Sequence, residues 1–239
     1  MPAHARHADS DARTVLFDYP ERAAVGTVIP KAQIVARARS RGLRDRLSAQ
    51  VGEILWAYKL APVSLNLAAS AELAEFQVFR VTLKPGTESI AEPLLRAIDQ
   101  AVPSPIVFEV YNQTHVHTVA AYKRPSDADA SKEVLGDYLW GDPLPLETPR
   151  LPLPVALDMD GLYREMLRRL IPLPARAGEG LRDQLDRLMQ VRAAERECAR
   201  LEALLAREKQ FNRKVEINRA LREATHALHA ARDTVSRSS

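Results

Sequence analysis

The sequence predicts an α+β domain with a small, mostly antiparallel sheet, followed by a proline-rich connector and a long, coiled-coil-like C-terminal helix. Three observations carry this expectation. Apolar segments of strand period come in consecutive pairs rather than in strict alternation with helices. Five prolines crowd the stretch DPLPLETPRLPLP from Asp142 to Pro154. No proline or glycine interrupts the chain from Leu181 to about Arg232. The implied divisions are a disordered lead over 1–14, the α+β domain over 15–148, the connector with a short helix over 149–180, and a helical tail over 181–239.

The lead, MPAHARHADSDAR, is polar and aperiodic, so it offers nothing to bury. Structure is expected to begin near VLFDYP. Pro30 then stands at the first helical position of IPKAQIVARARSRGLRDRLSAQVGEI, where Ile34, Leu43, Leu47 and Val51 supply the apolar spacing and Gly42 divides the segment in two. In ILWAYKLAPVSLNL, Ile54, Trp56, Tyr58 and Leu60 alternate with Leu55, Ala57 and Lys59, which predicts a strand with Trp56 and Tyr58 on its core face. AEFQVFRVTLK predicts a second strand, with Phe79, Val81 and Leu83 on one face beside Glu75 and Gln77, and Arg80 and Lys84 on the other. Ser89 and Glu92 have capping-box spacing before PLLRAIDQAV, a helix with Leu94, Leu95, Ile98 and Val102 as its buried stripe and Pro103 and Pro105 as its stop. PIVFEVYN and HVHTVAAYKR read as an antiparallel hairpin, and YLWGDPLPL as a further edge strand.

The prolines after Asp142 favour extended geometry, as a linker or as a strap over the domain. DMDGLYREMLRRLIP is a short helix with Asp158 or Asp160 as its N-cap and Leu162, Met166, Leu167 and Leu170 as its apolar face. In the tail, three runs share a spacing of four and three: Leu181, Leu185 and Leu188; Ala194, Cys198, Leu201 and Leu205; Ile217, Leu221, Ala224 and Leu228. They do not share one heptad frame, so a local coiled coil or an antiparallel helical packing is expected ahead of a perfect parallel zipper.

A chain of 239 residues with 46% hydrophobic content can bury a real core. The lead is charged where a secretory signal would be apolar, and the single cysteine, Cys198, cannot close an intramolecular disulfide. Cytoplasmic residence, with no membrane association, is therefore the expectation. A net charge of +3 is too small to announce a nucleic-acid binder. Its distribution says more: Lys31, Arg37, Arg39, Arg41, Arg44 and Arg46 face only Asp45, and a second excess gathers at Arg207, Lys209, Arg213, Lys214, Arg219 and Arg222. Of these, Lys31, Arg37, Arg41, Arg44, Arg213 and Lys214 are the candidate DNA contacts.

Several pieces combine into a family resemblance: IPK at Ile29 to Lys31, WAYKLAPVSLNL, EFQVF, AIDQAVPSPIVFEV, AAYK at Ala120 to Lys123, and the terminal EKQFNRKVEIN. In this order they resemble domain-of-unknown-function family 4391, a bacterial group, from about Phe17 to Leu228. The resemblance supplies no catalytic residues. It implies a setting beside helicases and DNA methyltransferases in restriction-like antiviral gene clusters, hence an accessory subunit with one of those proteins as partner.

A metal-dependent nuclease or phosphodiesterase is the alternative. It would use Glu75, Asp99 and Glu109 as acids and Lys84 or Lys123 as cation, but the strand reads Glu75, Phe76, Gln77 where an acidic-x-lysine signature would be needed. His115 and His117 share a strand face without a third ligand in view, so no metal or other cofactor is expected. Ser104 and Ser126 carry no signature of an activated nucleophile. Trp56, Tyr58 and Trp140 could stack on bases, yet large aromatics on a strand face more commonly pack in the core. Within EKQFNRKVEIN, Phe211 and Val215 lie one helical turn apart, Asn212 and Asn218 bring amides that fix register, and Leu221 continues the seam. The mixture reads as a segment that docks a protein partner or a second copy in a structural homodimer; packing on its own domain is the competing reading.

Overall fold

A computed structural model describes residues 15–38, 42–125 and 133–233. The lead expected over 1–14, together with Arg39, Arg41 and Ser126, lies outside the described residues. The chain forms two compact units, which divide between Leu170 and Ile171.

The first unit is built on a mixed sheet. Strand β1 (Phe17–Asp18) precedes a 3-10 turn (Glu21–Ala23) and strand β2 (Ala24–Val28). Helices α1 (Lys31–Ala38) and α2 (Leu43–Gln50) follow, and Gly42 separates them as expected: its φ of 73° is a conformation that glycine reaches without a Cβ clash. The next elements are β3 (Val51–Leu60), the single turn α3 (Pro62–Leu65), β4 (Phe76–Leu83), α4 (Glu92–Ala101), β5 (Ile106–Tyr111), β6 (His115–Pro125) and β7 (Glu133–Trp140). Two-residue strands β8 (Leu144–Pro145) and β9 (Leu151–Pro152) and helix α5 (Met159–Leu170) complete the unit.

The strand order is β2-β3-β4-β5-β6-β7, with β8 added on β6. Neighbours are antiparallel except β4 and β5, which run parallel because α4 carries the chain back across the sheet between them. Seven strands make this larger than the small sheet expected. The extra edge strand β2 is almost wholly exposed, so its sequence carries no alternation to detect.

On one face, Ile34 of α1, Leu43 and Leu47 of α2, and Leu94, Leu95 and Ile98 of α4 pack on Ile54, Phe79, Val81, Phe108 and Val110. From the α5 side, Tyr163 meets the ring of Phe76 and donates its hydroxyl to the Ala121 carbonyl at 2.8 Å. Strand β4 is therefore buried on both faces from Phe76 to Phe79, the continuous burial of an inner strand rather than the one-sided alternation expected. A register shift between Trp56 and Tyr58 also overturns the expected shared face. Trp56 joins the core beneath α1, whereas Tyr58 stacks on Tyr19 with ring centroids 4.8 Å apart. One extra residue in a strand reverses every side chain after it.

Two caps test the sequence reading. Asp158 caps α5, accepting the Gly161 amide at 2.7 Å. Ser89 does not cap α4; Ala91 is the N-cap, and its amide donates to Gln50 Oε1 at 3.0 Å. The proline-rich stretch is pinned to this unit, since β8 pairs β6, β9 pairs β1, and Arg150 donates to the Phe17 carbonyl at 2.7 Å. Helix α5, expected inside a connector over 149–180, packs on the sheet and belongs to the first unit.

The second unit corrects the expected continuous rod. Helix α6 (Leu181–Arg207) stops, residues Glu208 to Gln210 turn, and α7 (Phe211–Arg232) returns antiparallel. Cys198 on α6 faces Thr225 on α7 at 3.9 Å, and Glu195 pairs with Arg232. The break needs neither proline nor glycine. Glu208 and Gln210 are extended, with ψ of 137° and 125°, and the Glu208 carboxylate accepts the amides of Lys209 at 2.7 Å and Gln210 at 2.8 Å. The glutamate thus folds onto the backbone of the turn itself and leaves the first amides of α7 without a side-chain cap. These two bonds hold the carboxyl below its ordinary range.

At the far end of α7, the last carbonyls are satisfied by guanidiniums. Arg176 donates to the Asp233 and Ala230 carbonyls at 2.9 and 3.0 Å, and Arg187 to the Ala231 carbonyl at 3.3 Å. Cations at a helix C-terminus also meet the negative end of its dipole. Arg187 is locked in turn by Glu179, at 2.6 Å and 2.7 Å. Among the described residues, no helix is long and apolar enough to cross a membrane.

Candidate functional site

A cleft of about 370 Å³ opens on the sheet face between α1 and the loop that joins α4 to β5. Trp56 and Phe79, directly opposed on β3 and β4, form its floor, with ring centroids 6.4 Å apart and planes at 39°. Ile29, Ile34 and Val102 supply apolar walls. A short polar relay closes one end. The Trp56 indole N–H donates to Gln77 Oε1 at 2.9 Å, and Gln77 Nε2 donates to Glu75 Oε1 at 3.1 Å. Ser104 Oγ donates to the same carboxylate oxygen at 3.1 Å, and Lys59 Nζ pairs with Glu75 Oε2 at 2.7 Å. Glu75 is thus fixed by neighbours from β3, β4 and the α4–β5 loop, the preorganisation that a binding carboxylate requires.

Arg37 stands at the cleft's margin and donates to the Ala101 carbonyl, the end of α4, at 2.7 Å. A second depression of about 220 Å³ shares Glu75, Pro103 and Ser104 with the first and is bordered by Lys123 and Arg124. Lys123 is 7% exposed. Its Nζ donates to the Asp99 and Val102 carbonyls at 3.1 and 2.6 Å, so a second cation caps α4.

The acids proposed for a nuclease have separate partners. Glu75 lies in the cleft. Asp99 is buried and accepts the Tyr138 hydroxyl, whose pKa is driven up by burial and then by the Asp99 charge. Glu109, with no exposed side chain, sits in a clamp on β5. Arg150 reaches it with two bonds of 2.7 and 2.8 Å, Arg80 with one of 3.1 Å, and the Tyr111 hydroxyl with one of 2.8 Å. Burial pushes the Glu109 carboxyl up, but the bonds and charges of Arg150, Arg80 and Tyr111 together outweigh it and hold the group below its ordinary range. Burial and the same carboxylate push Tyr111 up to about 12. Lys84 is exposed just beyond β4. No group of three metal-ligating side chains occurs among the described residues, His115 and His117 included.

The candidate DNA cations also divide. Lys31 and Arg37 donate to the backbone carbonyls of Val51 and Ala101 and hold the first unit together. Arg44, Arg213 and Lys214 are exposed, Arg213 lying 3.5 Å from Glu208; Arg41 is outside the described residues. Of the partner-binding candidates, Phe211 is 79% exposed and Val215 53%. Asn212 and Asn218 are exposed with them, while Leu221 is half-buried with Ile217, Ala224 and Leu228 on another face of α7.

Three residues of these sites carried no recognised role in the sequence. Gln33 lines the cleft from an exposed position on α1. Ser104 lies between two prolines in the α4–β5 loop, with nothing local to tie it to Glu75. Arg150 lies 41 positions from Glu109 with no local signal linking them.

No curated protein and no solved structure matches this chain. A family model described as Domain of unknown function (DUF4391) matches residues 17–228. That span takes in both units, from β1 almost to the end of α7, and the chain belongs to this family.

Proposed function

We propose that this protein is a non-catalytic assembly subunit of a prokaryotic DNA-targeting defence system, and that it docks a protein partner through the turn end of its helical hairpin. One observation carries the reading: α7 buries none of its 22 residues fully, and its first turn exposes Phe211 and Val215. Apolar side chains exposed at i and i+4 of a helix are the anchors by which an amphipathic helix docks into a groove. Lys209, Arg213 and Lys214 each lie within two residues of Phe211 or Val215 along the chain, so the complementary surface is an apolar groove with an acidic rim. The family resemblance points to a helicase or DNA methyltransferase of the same gene cluster as the bearer of that groove.

The test is co-expression of the full chain with the neighbouring helicase and methyltransferase, followed by size-exclusion chromatography with light scattering. The expected result is a stable complex with one of them, lost in Phe211→Asp/Val215→Asp. A wild-type chain that stays monomeric beside both, or a double variant that still assembles, removes the proposal. A self-associated species that the double variant breaks would assign the same surface to a homodimer.

DNA contact is a secondary part of the reading, supported by exposed Arg44, Arg213 and Lys214. Genuine phosphate contacts predict an affinity that falls steeply with salt, with a log–log slope of about −0.9 per phosphate neutralised. Titration at several salt concentrations measures that slope, and no binding at low salt ends this part.

A further inference from the structure

We propose that the cleft between α1 and the α4–β5 loop binds a nucleotide, its base lodged against Trp56 and Phe79 with one edge on Glu75, and its phosphate at the margin beside Arg37. The proposal rests on the first unit alone and stands whether or not the hairpin docks a partner.

Size and shape admit a ligand of this class. A chamber of about 370 Å³ falls within the range of small-molecule sites, which are mainly apolar with a few convergent polar groups. The half-buried indole of Trp56 is the accessible aromatic face of the floor, beside a Phe79 ring that is 3% exposed, and every nucleobase has a π-face that it can stack. The polar end narrows the chemistry further. Gln77 has one lone pair of its carbonyl taken by Trp56 and one N–H committed to Glu75, and Glu75 Oε1 already accepts from Gln77 and Ser104. Glu75 Oε2 meets Lys59 and keeps one lone pair for a ligand donor. Lys59, 43% exposed, retains N–H groups beside it. A carboxylate next to an ammonium offers an acceptor beside a donor, the complement of the N–H and carbonyl or ring nitrogen that sit side by side on a base edge.

Other classes fit less well. An aliphatic acid would bring its own carboxylate towards Glu75, and a purely apolar ligand would desolvate the Glu75–Lys59 pair without giving either group a new hydrogen bond. A bare sugar has no extended flat apolar face for Trp56 and Phe79. At the margin, one Arg37 nitrogen is used by the Ala101 carbonyl, and the other guanidinium donors suit a phosphate.

The indole N–H of Trp56 supplies the readout, because it is hydrogen-bonded inside the cleft and the chain has only one other tryptophan, Trp140. The full chain, labelled with nitrogen-15, is titrated with guanosine and uridine monophosphates, with a short single-stranded oligonucleotide, and with ribose 5-phosphate and octanoate as controls. The expected result is a saturable shift of the Trp56 indole resonance, with Trp140 unmoved, by the mononucleotides or by the oligonucleotide. The first outcome identifies a free nucleotide as the ligand and the second a strand end. Ribose 5-phosphate and octanoate should leave the resonance in place. Glu75→Gln should weaken the nucleotide by about tenfold or more while the melting temperature stays near wild type. Should that variant melt early, Gln33→Glu replaces it, placing a negative charge on exposed α1 at the cleft; it should weaken the monophosphate several-fold and spare the parent nucleoside. The proposal is overturned by a Trp56 resonance that no nucleotide or oligonucleotide moves at millimolar concentration. It is equally overturned by octanoate or ribose 5-phosphate acting as well as the nucleotides, or by a folded Glu75→Gln that binds as wild type.

Discussion

Two glutamates, one in each unit, show how differently the two halves of this chain are held. Glu109 is wholly buried and gathers Arg80, Arg150 and Tyr111 from three separate segments. Glu208 is on the hairpin turn and gathers neighbours from its own stretch of chain, the amides of the next two residues and, at 3.5 Å, the Arg213 guanidinium. The first works at long range, tying the proline-rich strap to β5 and β4, and is worth what the desolvated charges around it would cost if left unpaired. The second works locally, turning one helix into the next, and leaves the apolar residues beside it exposed. The sheet unit buries a charged group at its centre, though Val63, Val155 and Leu157 stand exposed on its surface. The hairpin buries no residue of α7 fully and leaves Phe211 79% exposed beside its turn.

The sharpest way to break that contrast is to remove the buried member. Glu109→Ala strands two guanidiniums in a site built for a carboxylate and should destabilise the fold by about 3–5 kcal/mol, the usual cost of removing one partner of a buried pair. Urea unfolding measures it, and a loss below about 1 kcal/mol would mean that water reaches the clamp. Protonation should act in the same direction. The folded carboxyl ionises below its ordinary value of 4.5, so its contribution is fully present above that value and is lost as the pH falls towards and through the folded one. The gap between wild type and Glu109→Gln should accordingly be flat from pH 7 down to about pH 5 and narrow below that. A gap that widens on acidification would give the clamp the wrong sign.

The hairpin offers a smaller counterpart. Arg187→Ala removes a capping donor from the last turn of α7 and strands Glu179, the other half of its ion pair. A loss of about 1.5–3 kcal/mol is expected, as for hydrogen bonds to charged groups, with fraying of α7. Helical ellipticity and amide exchange near Ala231 would record it. Unchanged protection there would assign the end of α7 to packing alone.

What the sequence made legible follows the same division between local and distant causes. The split at Gly42, the cap at Asp158 and most core strands and helices of the sheet unit are written in a few adjacent residues. The antiparallel return of the tail was visible only as three apolar runs out of frame. The break itself hid in EKQ, because its signal is a glutamate side chain folding onto its own backbone rather than a helix-breaking residue. The side reversal in β3 was hidden for another reason, since a bulge is a property of a strand pair and leaves no mark on one strand. In the cleft, Glu75, Trp56 and Arg37 were each singled out, for three unrelated roles, and Gln77 only as the strand neighbour of Glu75. Only the crossover from β4 through α4 to β5 brings Ser104 to Glu75 across 29 positions.

The least change in stability should come from the most exposed residues. Phe211→Asp with Val215→Asp alters side chains that are 79% and 53% exposed and lie outside the half-buried seam of Ile217, Leu221, Ala224 and Leu228. Thermal unfolding should therefore stay within about 0.5 kcal/mol of wild type, as for surface substitutions in general. Two new carboxylates at the first turn also meet the positive end of the α7 dipole, which offsets part of any loss. Binding should respond in the opposite way, because an aspartate at an apolar anchor must be desolvated without a partner on association. A double variant that folds like wild type and no longer assembles would separate the hairpin's two faces, one inward for the fold and one outward for a partner. If stability fell by several kcal/mol instead, Phe211 and Val215 would belong to the fold itself, and the docking proposal would lose the surface it rests on.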